Sequence, residues 1–243
     1  MEYDAKKAAG IGAYALLSYL YGSVPFVALL AKKKNIDLKK TGSKNVGAAN
    51  LFQSTKSPAL ALSGWLADLS KGALPPLLAK TILPIEDEKT EEILACSGAT
   101  AGVAGQCWPI FLSFSGGRGV APLIGASLML APRAMPVFLG TMASERILRI
   151  LPPLTGEAGA GGLLHRQTTR TRSGPLSVAL AVCSLPLLCS VKGYDEKVVA
   201  GTAANAFVLL IRRATARPIP VREPRKAGAI LVYRLLYDRD TAL

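Results

Sequence analysis

Long apolar blocks alternate with short charged segments along the whole chain. The blocks cover roughly residues 8–31, 59–78, 93–114, 120–151, 175–191 and 198–211. Most approach the roughly 20 residues that an α-helix needs to cross a hydrocarbon core. Block 120–151 is too long for one span and is interrupted by Pro132-Arg133, so it reads as two short spans joined by a tight turn. The pattern predicts an all-α, polytopic membrane protein of about seven transmembrane helices. The multi-span unit occupies residues 1–211 and a basic tail follows over 212–243. Gly22, Ser23 and Pro25 lie inside the first block and predict a kink or break there. The fourth and seventh spans, about 13–14 residues each, are shorter than the usual range of roughly 17–25, which predicts tilt or local thinning of the bilayer.

Charge then sets direction. The segment after the first block carries Lys32, Lys33, Lys34, Lys39, Lys40, Lys44 and Lys56, whereas the loop before the third is acidic, with Glu86, Asp87, Glu88, Glu91 and Glu92. Lys and Arg concentrate in cytoplasmic loops. With the first loop inside, seven spans put the acidic loop outside. The same parity brings the run Ser115-Gly116-Gly117-Arg118-Gly119, the arginines 166, 170 and 172, and the basic tail inside. The N-terminus is then out and the C-terminus in. The first block runs on past Ala31 without a cleavage site and is expected to remain as a span.

Composition removes the main competing classes. Half of the 243 residues are hydrophobic and the formal net charge is +13. Such a charge on a soluble domain would suggest nucleic acid. Here the basic residues sit between apolar blocks and form no basic helix or aromatic-interleaved patch, so no nucleic-acid partner is expected. Cys96, Cys107, Cys183 and Cys189 lie in apolar stretches, form no Cys-x-x-Cys pair and are expected to be packing residues. No carboxylate cluster offers a magnesium cage, and no cofactor is expected. The lone histidine, His165, has no carboxylate partner at helical spacing. The absence of a repeat with paired broken helices argues against a small transporter.

Polar, small-residue clusters remain as candidate chemistry. The first is Gly22 to Phe26. The second is Thr41 to Asn50, containing Gly42, Ser43, Lys44, Asn45 and Gly47. The third is Gly105-Gln106-Cys107-Trp108-Pro109 with Ser115 to Val120. Glycines beside a Lys or Arg at a helix start let backbone N–H groups approach a phosphate, and the helix dipole adds to the attraction. Gly116, Gly117, Arg118 and Gly119 open the fourth span in this way, and the Gly42-Ser43-Lys44-Asn45 run could form a second anion nest. Two such sites on one face suggest phosphate-bearing substrates; the alternative is that the glycines only make turns and pack helices. The spacing of a Walker A loop is missing. Asp68 and Lys71, three apart in the second span, share a helix face and are expected either to neutralise each other or to line a polar cleft.

Taken in order, these clusters resemble the bacterial acyl-phosphate:glycerol-3-phosphate acyltransferase family, the PlsY type. Its pattern of a Gly-Ser-x-Pro-Phe run, a Gly-Ser-x-Asn-x-Gly-Ala-x-Asn loop, a Leu-Asp-x-x-Lys-Gly segment and a glycine-rich loop is met here at Gly22–Phe26, Gly42–Asn50, Asp68 with Lys71-Gly72, and Gly105–Ala121. The resemblance implies a seven-span enzyme of a bacterial inner membrane with a cytoplasm-facing site. It would move a fatty acyl group from acyl phosphate to the sn-1 hydroxyl of glycerol 3-phosphate, giving lysophosphatidic acid. Glycerol 3-phosphate, acyl phosphate and membrane lipid are the implied partners. Carried over by position, Ser43, Asn45 and Arg118 are the catalytic candidates. Lys44, Asn50, Gly116, Gly117, Gly119 and Ser173 are the substrate-binding ones. The chain departs from the family in carrying Gln106 for a histidine, Ser115 for a lysine and Gln53 for an arginine. Its stretch Ile211-Arg212-Arg213-Ala214-Thr215-Ala216-Arg217 lacks the family's His, Glu and Asn. Those departures open a second reading, a re-purposed paralogue that binds a phosphate-bearing lipid precursor.

Overall fold

The computed structural model describes residues 2–81, 87–150, 175–215 and 224–237, and among these there is helix and no strand. The helices are α1 (Glu2–Ser23), α2 (Phe26–Lys32), α3 (Ala48–Thr55), α4 (Pro58–Thr81), α5 (Glu88–Cys107), α6 (Val120–Leu130), α7 (Met135–Ile150), α8 (Pro175–Val191), α9 (Glu196–Ala214) and α10 (Pro224–Tyr237). The break expected in the first block falls at Val24-Pro25, between α1 and α2. The turn at Pro132-Arg133 is a short 3₁₀ segment, and the two apolar helices flanking it are bent by 116°. The last block yields a longer helix than its apolar core suggested: α9 has 19 residues, because Asp195 caps its N-terminus by accepting from Lys197 N at 2.8 Å. Part of the expected basic tail is helix α10, which packs on α8 and α9.

Helix α5 is the centre of the bundle, in contact with α1, α4, α6 and α9. Its Gly98, Gly102 and Gly105 recur at spacings of four and three and so lie on one face. A methyl group at Gly102 would overlap the Lys71 carbonyl oxygen of α4. One at Gly105 would overlap the Tyr19 carbonyl of α1, and one at Gly22 the Gly102 carbonyl. The contact between α4 and α6 follows the same rule, with Gly72 against Pro122 O and Gly125 against Leu69 O. Backbones therefore meet directly, as in helix pairs that associate without a hydrophobic drive.

Leu16, Leu17, Leu62, Leu187 and Phe207 face outward, between 57% and 69% exposed, while Asp68, Lys71, Gln106, Thr202 and Asn205 are buried within an otherwise largely apolar interior. Buried ionisable groups beside an outward apolar surface are a feature of membrane-embedded helices. By length and composition, the α1–α2 helix Ala5–Lys32 is apolar enough to cross a membrane. The bent α6–α7 pair qualifies only if its halves count together, and Leu176–Val191 is a shorter apolar helix. All four cysteines are free and three of them are buried, as packing residues would be.

The two ends of the bundle differ. At one end Lys7 Nζ lies 2.6 Å from Asp87, and Lys197 Nζ lies 3.1 Å from Glu92 and 3.0 Å from Asp195. The hydrogen bond from Lys7 holds the Asp87 carboxyl well below the usual carboxylate range, so this N-cap of α5 stays ionised. The opposite end gathers the lysine-rich loop, the glycine-rich loop and the end of α9, joined by Lys39 Nζ to Leu112 O at 3.3 Å and Arg212 Nη2 to Gly116 O at 2.7 Å.

Close backbone approach gives a direct expectation. Gly102→Ala should cost about 1–3 kcal/mol, the range for overpacking, seen as a lowered thermal midpoint in detergent. Gly140→Ala, where no atom lies within 4 Å of the added carbon, should be neutral or slightly stabilising. Equal midpoints for the two variants would refute the close-approach argument.

Candidate functional site

The site is built on a buried ion pair. Lys71 Nζ lies 3.0 Å from Asp68 Oδ1 within α4, and the two side chains are 1% and 4% exposed. Gln106, the penultimate residue of α5, joins the group. Its Nε2 donates to Asp68 Oδ2 at 3.0 Å and its Oε1 accepts from Lys71 Nζ. An uncharged amide offers donors and an acceptor at once, so it contacts both ions. The Phe26 ring lies 5.3 Å from Lys71 Nζ, within cation–π range. The two expectations for Asp68 and Lys71 are both met: they pair, and they line a small cleft with Ser23, Pro25, Gln106 and Gly116.

The same glutamine carries the glycine-rich loop, because its main-chain oxygen accepts from Gly117 N at 3.0 Å. Residues Ser113 and Phe114, with positive φ of 52° and 60°, turn the chain back from α5. Gly119, at φ 75°, is the N-cap of α6, so Arg118 stands immediately before that helix start. A side chain at Gly116 would overlap Gln106 O and Pro109 Cδ, one at Gly117 would meet Val46 O at 2.9 Å, and one at Gly119 would meet Cys107 Sγ at 2.6 Å. These glycines are thus required by the seating of the loop on α5 and on the Thr41–Asn50 loop. Gly117 N is spent on Gln106. That amide is therefore not open to an anion, while Arg118 stands beside the start of α6.

The opposite wall is the loop before α3. Asn50 is 1% exposed and organises it: Nδ2 donates to Leu38 O, Thr41 O and Asn45 O, each at 3.0 Å, and Oδ1 accepts from Ser43 N at 3.0 Å. Asn50, expected among the substrate-binding residues, is hydrogen-bonded within the loop and fixes its shape. Ser43 and Lys44 are exposed, Lys44 with φ 58°, and Asn45 is half-buried. Val46 meets the glycine loop, which brings Ser43, Asn45 and Arg118 to one end of the bundle. Ser173 and His165 lie outside the described residues. Beside the cleft, and sharing Val46 and Leu112 with it, is a larger cavity of about 470 Å³ walled by Ile36 and Leu38 and rimmed by Lys32 and Lys39.

Arg212 is the residue that pattern reading missed. Its Nε donates to Gly117 O at 2.9 Å and its Nη2 to Gly116 O at 2.7 Å, so the end of α9 grips the glycine loop. In sequence it is one of several arginines at the end of an apolar block, where charge sidedness already accounts for it.

An all-helical bundle with large apolar side chains on its outer surface and a buried Asp68–Lys71 pair beside a small cleft between two loops has the character of a membrane protein. The comparisons narrow this class. Residues 12–150 match the model of the glycerol-3-phosphate acyltransferase family, and the chain belongs to that family. A glycerol-3-phosphate acyltransferase of Desulfotalea psychrophila is 38% identical over 132 residues, 54% of this chain and 66% of that protein, so the chain spans just under two thirds of its length. Glycerol-3-phosphate acyltransferase 4 of Dehalococcoides mccartyi is 29% identical over 233 residues, covering 91% of this chain and 86% of the relative. The fold is shared with PlsY, an integral membrane glycerol 3-phosphate acyltransferase, whose crystal structure in the glycerol 3-phosphate form aligns at a TM-score of 0.64 and 24% identity, over 84% of this chain and 88% of that one.

Removing one member of the buried pair should be worse than removing both. Lys71→Met is expected to cost about 3–5 kcal/mol, and the combined Asp68→Leu/Lys71→Met/Gln106→Leu variant less, in chemical denaturation of the reconstituted protein. A triple variant less stable than the single one would argue against the pair as a closed unit. Asn50→Ala should release its loop, so that trypsin cuts at Lys39, Lys40 and Lys44 much faster than in the wild type, whereas Gln53→Ala on the exposed face of α3 leaves cleavage unchanged.

Proposed function

We propose that this chain is an acyl-phosphate-dependent glycerol-3-phosphate acyltransferase of phospholipid synthesis. It would lie in a bacterial plasma membrane as a seven-span protein, with its N-terminus outside and its site facing the cytoplasm. The observation that carries the reading is the meeting of the Thr41–Asn50 loop with the glycine loop at Val46, beside Arg118 and the start of α6. The relatives' names supply the reaction class, and the lysine-rich end of the bundle supplies the sidedness.

The chemistry asks little covalent help from the protein. The glycerol hydroxyl oxygen forms a bond to the acyl carbon, the carbon–oxygen bond to phosphate breaks, and the hydroxyl proton ends on the departing phosphate. Acyl phosphate already carries a good leaving group, so catalysis is positioning and charge stabilisation. Arg118, set beside the α6 N-terminus, is suited to clamp a phosphate with paired N–H groups. Ser43 and Asn45 are suited to orient the glycerol backbone, and exposed Lys44 adds positive charge at the rim. The apolar cavity between Lys32, Lys39 and Leu112 suits an amphiphile with an anionic head, and it joins the cleft at Val46.

Purified protein in lipid should convert glycerol 3-phosphate and acyl phosphate to lysophosphatidic acid, followed by mass spectrometry. Absence of turnover under conditions in which the Desulfotalea relative is active would refute the assignment. Arg118→Ala should lower kcat/KM for glycerol 3-phosphate by roughly a hundredfold, the scale of one lost charge-assisted contact.

A further inference from the structure

The end of α9 carries adjacent arginines aimed at different partners. Arg212 binds the carbonyls of Gly116 and Gly117 in the glycine loop. Arg213 turns the other way, and its Nη1 donates to Leu235 O in the last turn of α10 at 2.7 Å. Arg234, in that same last turn, donates from Nη1 to Ala214 O, the final residue of α9, at 3.0 Å. Arg213 is 5% exposed and Arg234 2%, so both are buried for arginines.

These contacts form an exchange between helix ends. The last four carbonyls of an α-helix have no partner within it, and the C-terminus carries a partial negative charge. Each arginine supplies a donor and a positive charge to the C-terminus of the other helix. An arginine nearly stripped of water is held only where its N–H groups are satisfied, so neither can leave without exposing the other helix end. The α9 terminus is thereby fixed at the residue next to Arg212.

We propose that the Arg213–Arg234 clasp makes the C-terminal helix a buttress for the site, and that Arg212 is the positioning residue through which it acts on the glycine loop. The clasp is a property of the fold; its kinetic consequence rests on the acyltransferase reading above. No contact of α10 with the cleft is required, because the path runs from Arg234 through the α9 terminus and Arg212 to Gly116 and Gly117.

Hydrogen–deuterium exchange of the full chain in lipid nanodiscs tests the coupling without turnover. Arg234→Gln should speed exchange in residues 115–120 and 209–215 by roughly tenfold, the scale of losing a charged hydrogen bond, and leave the Gly98–Gly105 face of α5 unchanged. Arg212→Gln should give the same loop effect, and the double variant should add little to either, since both act on one element. Arg234→Lys, which keeps the charge and a donor, should restore most of the protection and shows that loss is not simple misfolding. Kinetically, Arg234→Gln should raise KM for glycerol 3-phosphate about tenfold with kcat within about twofold, if loop order governs binding. Unchanged loop exchange in Arg234→Gln, or additive effects in the double variant, would overturn the buttress. A wild type without turnover would remove the acyltransferase reading and leave the exchange result standing.

Discussion

The rest of the structure depends on the Asp68–Lys71–Gln106 group. A buried charge is costly unless it is paired and hydrogen-bonded, so α4 can hold two only if each neutralises the other and a further group adds hydrogen bonds. Gln106 is that group, and it comes from α5. The pair therefore fixes the distance and rotation of α4 against α5. The main-chain oxygen of Gln106 then receives the Gly117 amide, so the position of the glycine loop follows from the position of the ion pair.

That geometry sets a requirement on the neighbours. For the Gln106 amide to reach both ions, α5 must approach α4 and α1 more closely than side chains allow, and the glycines at 98, 102 and 105 meet the requirement. Glycine is a poor helix former, and three in one helix are tolerated because neighbouring backbones pack where side chains would have been. The polar network and the glycine face are one device: the network gives the helices a reason to meet, and the missing side chains let them.

Much of the fold was legible in the sequence because it rests on composition along the chain. The break at Pro25, the turn at Pro132, the free cysteines and the gathering of basic loops at one end all follow from block lengths, proline chemistry and charge. The site was legible as a set of segments and less so as a set of roles. Asn50 was read as a substrate-binding candidate, and the structure adds that it holds four loop groups, because a sequence shows a side chain's hydrogen-bonding capacity and not which partners reach it. Gly116, Gly117 and Gly119 were read as phosphate-binding candidates, and the structure adds a second demand on them, since each has a protein atom where a side chain would go. Arg212 was hidden by its own explanation, since sidedness of charge accounts for any arginine at that end of a span.

The departures from the family pattern acquire a physical meaning in this arrangement. Gln106 stands where the resemblance led one to expect a histidine. A histidine offers both a donor and an acceptor only in its neutral form, whereas the amide does so at every pH. Its place between two buried ions is a bridging task, and glutamine performs it without titrating. Arg213 stands in the stretch where the family's His, Glu and Asn are missing, and its guanidinium is committed to the end of the C-terminal helix. In both places a side chain of this chain holds two elements together. Gln106 thereby joins the buried pair to the glycine loop, Arg212 joins that loop to the end of α9, and Arg213 joins the end of α9 to that of α10.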